Sequence, residues 1–116
     1  MTDALALPRA VDLLSALAQK HRLAVFRLLV KAGPEGLPAG TIACEVGVRP
    51  NTLSTHLAIL DHAGLVTARR EGRSVIYAAD YGAMRALLGF LVEDCCGGRP
   101  EICAPLADLA ADCGAC

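Results

Sequence analysis

The stretch Gly47-Val48-Arg49-Pro50-Asn51-Thr52-Leu53-Ser54-Thr55-His56-Leu57-Ala58-Ile59-Leu60-Asp61-His62-Ala63-Gly64 decides how the rest of the chain is read. Leu53, Leu57 and Leu60 follow the i, i+4, i+7 rule of a one-sided helix, and the ring of Pro50 suits a first helical turn. The spacing predicts a helix over 50–63. Just before it, Gly47-Val48-Arg49 is a short glycine-containing connection of the kind that joins the two helices of a helix-turn-helix. The first of those helices is expected near 39–46. Opposite the leucines lie Asn51 and Thr55, with Thr52, Ser54 and His56 on the flanks. That face is short, polar and uncharged, and such groups hydrogen-bond base edges or phosphates when a helix lies in the major groove. An ordinary solvated helix shows the same face, so the helix alone does not choose between the two.

The next segment does. Leu65-Val66-Thr67-Ala68-Arg69-Arg70, then Glu71-Gly72-Arg73, then Ser74-Val75-Ile76-Tyr77-Ala78 has the pattern of a β-hairpin with Glu-Gly-Arg as its turn. Arg69, Arg70 and Arg73 sit at or beside the tip, where guanidinium groups neutralise backbone phosphates, the sequence-independent part of DNA affinity. A charged hairpin directly after a helix-turn-helix is the pattern of a wing. The fold class expected is mainly α with a β-hairpin wing, a winged helix-turn-helix. Its candidate DNA contacts are Arg49, Asn51, Thr52, Ser54, Thr55, His56, Arg69, Arg70 and Arg73.

Working outward, residues 10–31 carry apolar side chains at helical spacings, interrupted by Gln19-Lys20-His21-Arg22. Two helices are predicted, about 9–18 and 20–32, the second stopped by Gly33-Pro34; 33–38 has the composition of a loop. From Tyr81 to Cys96, Met84, Leu87, Leu88, Leu91 and Val92 form another apolar stripe. Helices at the two ends of so small a domain can bury such stripes in a twofold homodimer. A dimer would let one short recognition helix read two half-sites about one DNA turn apart.

A chain of 116 residues, 54% hydrophobic, suffices for one ordinary domain. With 3% aromatic residues and no Trp, its core must come from Leu, Val, Ile and Ala, which favours helices over a β-sandwich. No apolar run approaches the roughly 18 residues that span a bilayer, and the acidic start MTDALALPRAVD lacks the positive charge of a signal peptide. A cytoplasmic protein without a membrane partner is expected. The net charge of −1 hides an asymmetry: residues 1–79 carry nine Lys/Arg and six Asp/Glu, hence +3, whereas 80–116 carry two and six, hence −4. The first part suits a polyanion and the second collects cations.

Five of the six cysteines fall in the last quarter, in Glu93-Asp94-Cys95-Cys96-Gly97-Gly98-Arg99-Pro100-Glu101-Ile102-Cys103 and Cys113-Gly114-Ala115-Cys116. In a reducing compartment these suit metal or redox chemistry better than structural disulfides. Adjacent cysteines diverge by about 100° on a continuous helix, so they converge on one ligand only where the helix ends, and Gly97-Gly98 supplies an ending. A structural zinc site built from four of these thiols is an alternative, although adjacent cysteines lack the usual two-residue spacer. A redox or persulfide sensor is another, opposed by Glu93 and Asp94, which raise thiol pKa values. A thiol enzyme is disfavoured, because reactive cysteines sit at helix N-termini and this pair follows a helix. Catalysis is not expected. Two regions result: 1–96 for DNA binding and dimerisation, and the cysteine-bearing tail 97–116.

The run Ser54-x-His-Leu-x-x-Leu-x-x-Ala-Gly-Leu-Val66, the following Arg70-Glu71-Gly72-Arg73 and the earlier Ala18–Leu29 resemble the ArsR/SmtB winged-helix repressors over about residues 10–96. The resemblance implies a dimeric metal-responsive repressor that leaves operator DNA when it binds its ion. One family site uses Cys-x-Cys in the helix before the recognition helix; here Ile42 replaces the first thiol, and Cys44 is expected as a small buried core residue. Another uses Asp and His on the last helix, but 80–96 contain no histidine, which disfavours zinc of that type. The tail is similar to arsenic-responsive members in which a Cys-Cys pair and one further cysteine bind trivalent arsenic. Those positions are Cys95, Cys96 and Cys103, with Cys113 and Cys116 as possible auxiliaries. As(III) or Sb(III), soft and three-coordinate, suits three thiolates; a repressor sensing Cd(II), Zn(II), redox state or persulfide on the same fold is the alternative reading.

Overall fold

A computed structural model describes residues 5–92 of the chain. Helix α1 (Leu7–Leu17) is followed by α2 (Lys20–Ala32), the two-residue strand β1 (Leu37–Pro38), α3 (Ala39–Val46) and α4 (Pro50–Ala63). Then come β2 (Val66–Glu71), β3 (Ser74–Ala79) and α5 (Tyr81–Val92). Residues 93–96, included in the expected last helix, and the tail region 97–116 lie outside the described residues.

Local chemistry sets the boundaries. The polar insert between α1 and α2 is a cap: the Gln19 side-chain oxygen accepts from the backbone N–H of His21 and of Arg22 at 2.8 and 3.0 Å, satisfying donors that a helix start leaves orphaned. Helix α1 begins two residues earlier than expected because Pro8 is accommodated in the first turn, where it has no N–H to lose. Gly47 and Gly64 close α3 and α4 with φ of +79° and +85°, the left-handed conformation that glycine adopts without a Cβ penalty. Asp80 starts α5 by accepting from Ala83 N–H at 3.0 Å.

One buried core joins these elements. Leu13, Val25, Leu29, Ile42, Leu53, Leu57, Leu60 and Leu65 are essentially inaccessible to solvent, so the leucine stripe of α4 faces inward, against α1, α2, α3 and β2. The hairpin is longer than the sequence suggests: Glu71 pairs with Ser74 and the turn is only Gly72-Arg73. The segment expected as a loop before α3 contributes β1, with Leu37 opposite Tyr77 and Pro38 opposite Ile76, giving the antiparallel order β1-β3-β2. Gly36 has φ +75° and runs so close to the Tyr77 carbonyl that no side chain fits there. Cys44 does not join the core as expected. It is exposed, because the inward positions of α3 are held by Ile42 and Ala43.

Candidate nucleic-acid interface

The turn Gly47-Val48-Arg49 sets α4 on its leucine face and leaves Asn51, Thr52, Ser54 and Thr55 exposed on the opposite side. Arg49 precedes the helix; its carbonyl accepts the Leu53 N–H at 2.8 Å while its side chain stays in solvent. The short polar side chains are partly pre-positioned by their own helix. Ser54 Oγ donates to the Pro50 carbonyl at 3.1 Å, Thr55 Oγ1 to the Asn51 carbonyl at 3.5 Å, and Asn51 Oδ1 accepts the Thr52 N–H at 2.9 Å. With its hydroxyl proton directed back to the helix, Ser54 offers acceptor lone pairs outward.

His56, on the flank of that face, is half-buried. Its Nδ1 is buried and finds no partner among the described residues, and its ring lies 5.7 Å from that of His21 on α2. It therefore belongs to the α2–α4 junction. Burial, then the Arg22 charge, then His21 hold its pKa below the ordinary 6.5. The unfolded chain thus binds this proton more readily than the folded one, and stability falls as pH drops from about 6.5 through the lowered folded value. Thermal unfolding followed from about pH 7.5 to about pH 5 should show this loss, and His56→Gln should flatten it. An equal slope in the variant would remove His56 from the cause.

The three wing arginines are not equivalent. Arg69 Nε donates to Glu71 Oε2 at 2.8 Å and its Nη2 to the Glu35 carbonyl at 2.8 Å, clasping the hairpin to the loop before β1. Arg70 and Arg73 are exposed and, among the described residues, make neither ion pair nor side-chain hydrogen bond. Each arginine on a phosphate changes the logarithmic salt dependence of DNA binding by roughly 0.9. Arg70→Ala and Arg73→Ala should each weaken binding on any sequence and reduce that slope by about 1, whereas Arg69→Ala should change it less. Equal slopes for all three variants, measured by fluorescence anisotropy across a salt series, would contradict this ranking.

Cys95, Cys96, Cys103, Cys113 and Cys116 lie outside the described residues. Among the described residues no three His, Cys, Asp or Glu side chains gather closely enough to hold a metal ion. No helix there is long and apolar enough to cross a membrane. Among the described residues the exposed apolar side chains of the first and last helices are Leu7, Val11 and Leu14 on α1 and Leu88, Leu91 and Val92 on α5, two helices that touch.

Comparison with known proteins places this geometry. A family model described as a helix-turn-helix domain matches residues 17–69. The transcriptional activator HlyU of Vibrio cholerae is 31% identical over 83 residues, 72% of this chain and 74% of HlyU. The nodulation protein NolR of Rhizobium meliloti is 35% identical over 72% of this chain and 66% of its own length. A solved Mycobacterium bovis fragment, described as a homodimeric winged helix-turn-helix DNA-binding domain and a possible ArsR-family regulator, superposes with TM-score 0.60 at 30% identity. The match covers 76% of this chain and 82% of that one. A structure described as a possible transcriptional regulator for arsenical resistance gives TM-score 0.63 at 27% identity, covering 84% and 95%. An inward leucine face, an outward polar face and a basic wing on this scaffold are a DNA-binding apparatus rather than an enzyme site. The chain belongs to the ArsR family of winged helix-turn-helix transcription regulators.

Proposed function

We propose that this regulator is a cytoplasmic homodimeric repressor that trivalent arsenic or antimony releases from its operator by binding Cys95, Cys96 and Cys103. The observation that carries the reading is the position of the thiol pair: it begins three residues after Val92, where α5 ends its described course with an uncovered apolar face. A ligand bound there acts on the helix expected to hold the dimer together. The likeness to a structure described as a possible regulator for arsenical resistance supports the same ion class.

The chain supplies a route from that helix to DNA. Tyr81 at the start of α5 donates its hydroxyl to the Val30 carbonyl of α2 at 2.9 Å, and α2 packs on α4 through the shared core. A tilt of α5 is therefore passed to the helix that carries Asn51, Thr52, Ser54 and Thr55. Ligand binding and DNA binding are coupled only by the ratio of ligand affinities for the free and DNA-bound forms, commonly about 5- to 150-fold. The three thiolates supply soft ligation, and metal capture drives their deprotonation despite the adjacent Glu93 and Asp94.

The test is operator binding by the fully reduced protein, followed by fluorescence anisotropy while arsenite is added. Wild type should lose affinity by a factor in that range, and Cys103→Ser should keep its DNA at the same arsenite concentration. Release by zinc or by an oxidant, with no response to arsenite, would make the thiols a different switch on the same fold. A promoter reporter that falls in a deletion strain would make the regulator an activator, as HlyU is described to be.

A further inference from the structure

Between α1 and α4 the surface opens into a cleft of about 720 Å³ that the DNA-facing residues do not account for. Its floor is apolar, formed by Ala16, Ala58, Ile59 and Ala63, and its rim is polar, with Arg9, Asp12, Ser15, Arg22, Thr55 and His62. One of the two guanidinium groups is held by a hydrogen bond, and the other is exposed beside the end of α4. Arg22 Nε donates to the Ala16 carbonyl at 2.6 Å, and the Arg9 guanidinium lies against Gly64 at the end of α4, close enough that a methyl group there would collide with it. Two arginines against the single carboxylate of Asp12 leave the rim with an excess of positive charge.

The expected dimer face leaves this cleft open. At 100° per residue, Leu7, Val11 and Leu14 fall within a sector of about 60° on α1, and Arg9, Asp12 and Ala16 lie roughly 140–200° from Leu7. The apolar stripe of α1 and most of its cleft residues thus lie on different sides of the helix, which sets the cleft apart from the expected dimer face. The chain itself offers one of matching chemistry. Residues 104–116, Ala-Pro-Leu-Ala-Asp-Leu-Ala-Ala-Asp-Cys-Gly-Ala-Cys, carry two leucines, two aspartates and no cation. Helix α5 lies beside α1, and the twelve steps from Val92 to Ala104 span up to about 40 Å when extended, ample to reach a cleft on the same domain or its dimer mate.

We propose that the α1–α4 cleft is the docking site of the chain's own residues 104–116, and that this segment and operator DNA exclude one another at Thr55. Leu106 and Leu109 cover the apolar floor, and Asp108 and Asp112 face Arg9 and Arg22. The docked segment lies over Thr55, a side chain that DNA needs uncovered. The inference rests on DNA recognition by α4 and is independent of which ion the thiols take.

The experiment uses the full-length protein with two double variants, Leu106→Ser with Leu109→Ser and Asp108→Asn with Asp112→Asn. It reads operator affinity at fixed salt and the backbone amide resonances of Ser15, Ala58, Ile59 and Ala63. Both variants should bind operator about fivefold tighter or more, and both should move the cleft resonances in the same direction. Tighter binding by the aspartate variant alone would show only the removal of negative charge near DNA, and would overturn the docking assignment. So would cleft resonances indifferent to both variants, whatever other molecule moves them. The affinity of the wild type for operator reports separately on the DNA-binding function.

Discussion

Replacing Leu88 and Leu91 together with glutamate should turn the protein into a folded monomer whose operator affinity is lower by about 100-fold or more. Both side chains are about half exposed, at 53% and 51%, on the outer face of α5, next to the equally uncovered Leu7, Val11 and Leu14 of α1. Neither belongs to the intramolecular core, which α5 enters through Leu87. The substitutions therefore leave the domain intact and would place four carboxylates in the expected twofold contact, where unpaired charge is strongly unfavourable. A monomer loses the gain of joining two half-site contacts, typically about 10²- to 10⁴-fold. Sedimentation together with anisotropy on a two-half-site fragment measures both quantities. A variant that stays dimeric and binds as wild type would place the dimer contact elsewhere.

The largest loss of stability is expected inside the recognition helix. Leu60 is fully buried where α4 meets the rest of the core, whereas its neighbour Ile59 is 37% exposed. Leu60→Ala should cost about 2–5 kcal/mol, the lost transfer of its methyl groups plus a cavity the packed surroundings cannot close. Against a total of roughly 5–15 kcal/mol for an ordinary domain, that is enough to populate the unfolded state near physiological temperature. Ile59→Ala should cost much less. Urea unfolding of the two variants decides: equal midpoints would mean that α4 is not seated on its leucine face.

The same leucines explain why so much of the fold was legible. The stripe Leu53, Leu57, Leu60 specifies both the helix and its buried side, and the bounds 50–63 coincide with α4. The wing was visible because Gly72 punctuates two strand-forming runs. β1 was not, since two residues carry no period and one of them is proline, tolerated here at a sheet edge. His56 and Arg69 show the limit at the site. Spacing places both on the DNA side, but the buried Nδ1 of His56 and the Glu35 carbonyl held by Arg69 depend on neighbours 34 or 35 positions away in the chain. Cys44 failed for the reverse reason: a small apolar-like residue next to a buried Ala43 still occupies the outer side of α3. The cleft between α1 and α4 has no sequence signature at all, because its two walls are separated in the chain by the whole of α2, β1 and α3.

The pairing of Leu37 with Tyr77 bears on how the protein is made. The hairpin β2–β3 closes across a two-residue turn, but β1 meets a partner forty positions further along the chain, a loop whose closure entropy must be met before any contact repays it. All four helices up to Ala63 precede Tyr77 in the sequence, so β1 reaches its partner only across the whole helix-turn-helix. The wing is thus tied to the first half of the domain through β1, whose only strand partner among the described residues is β3.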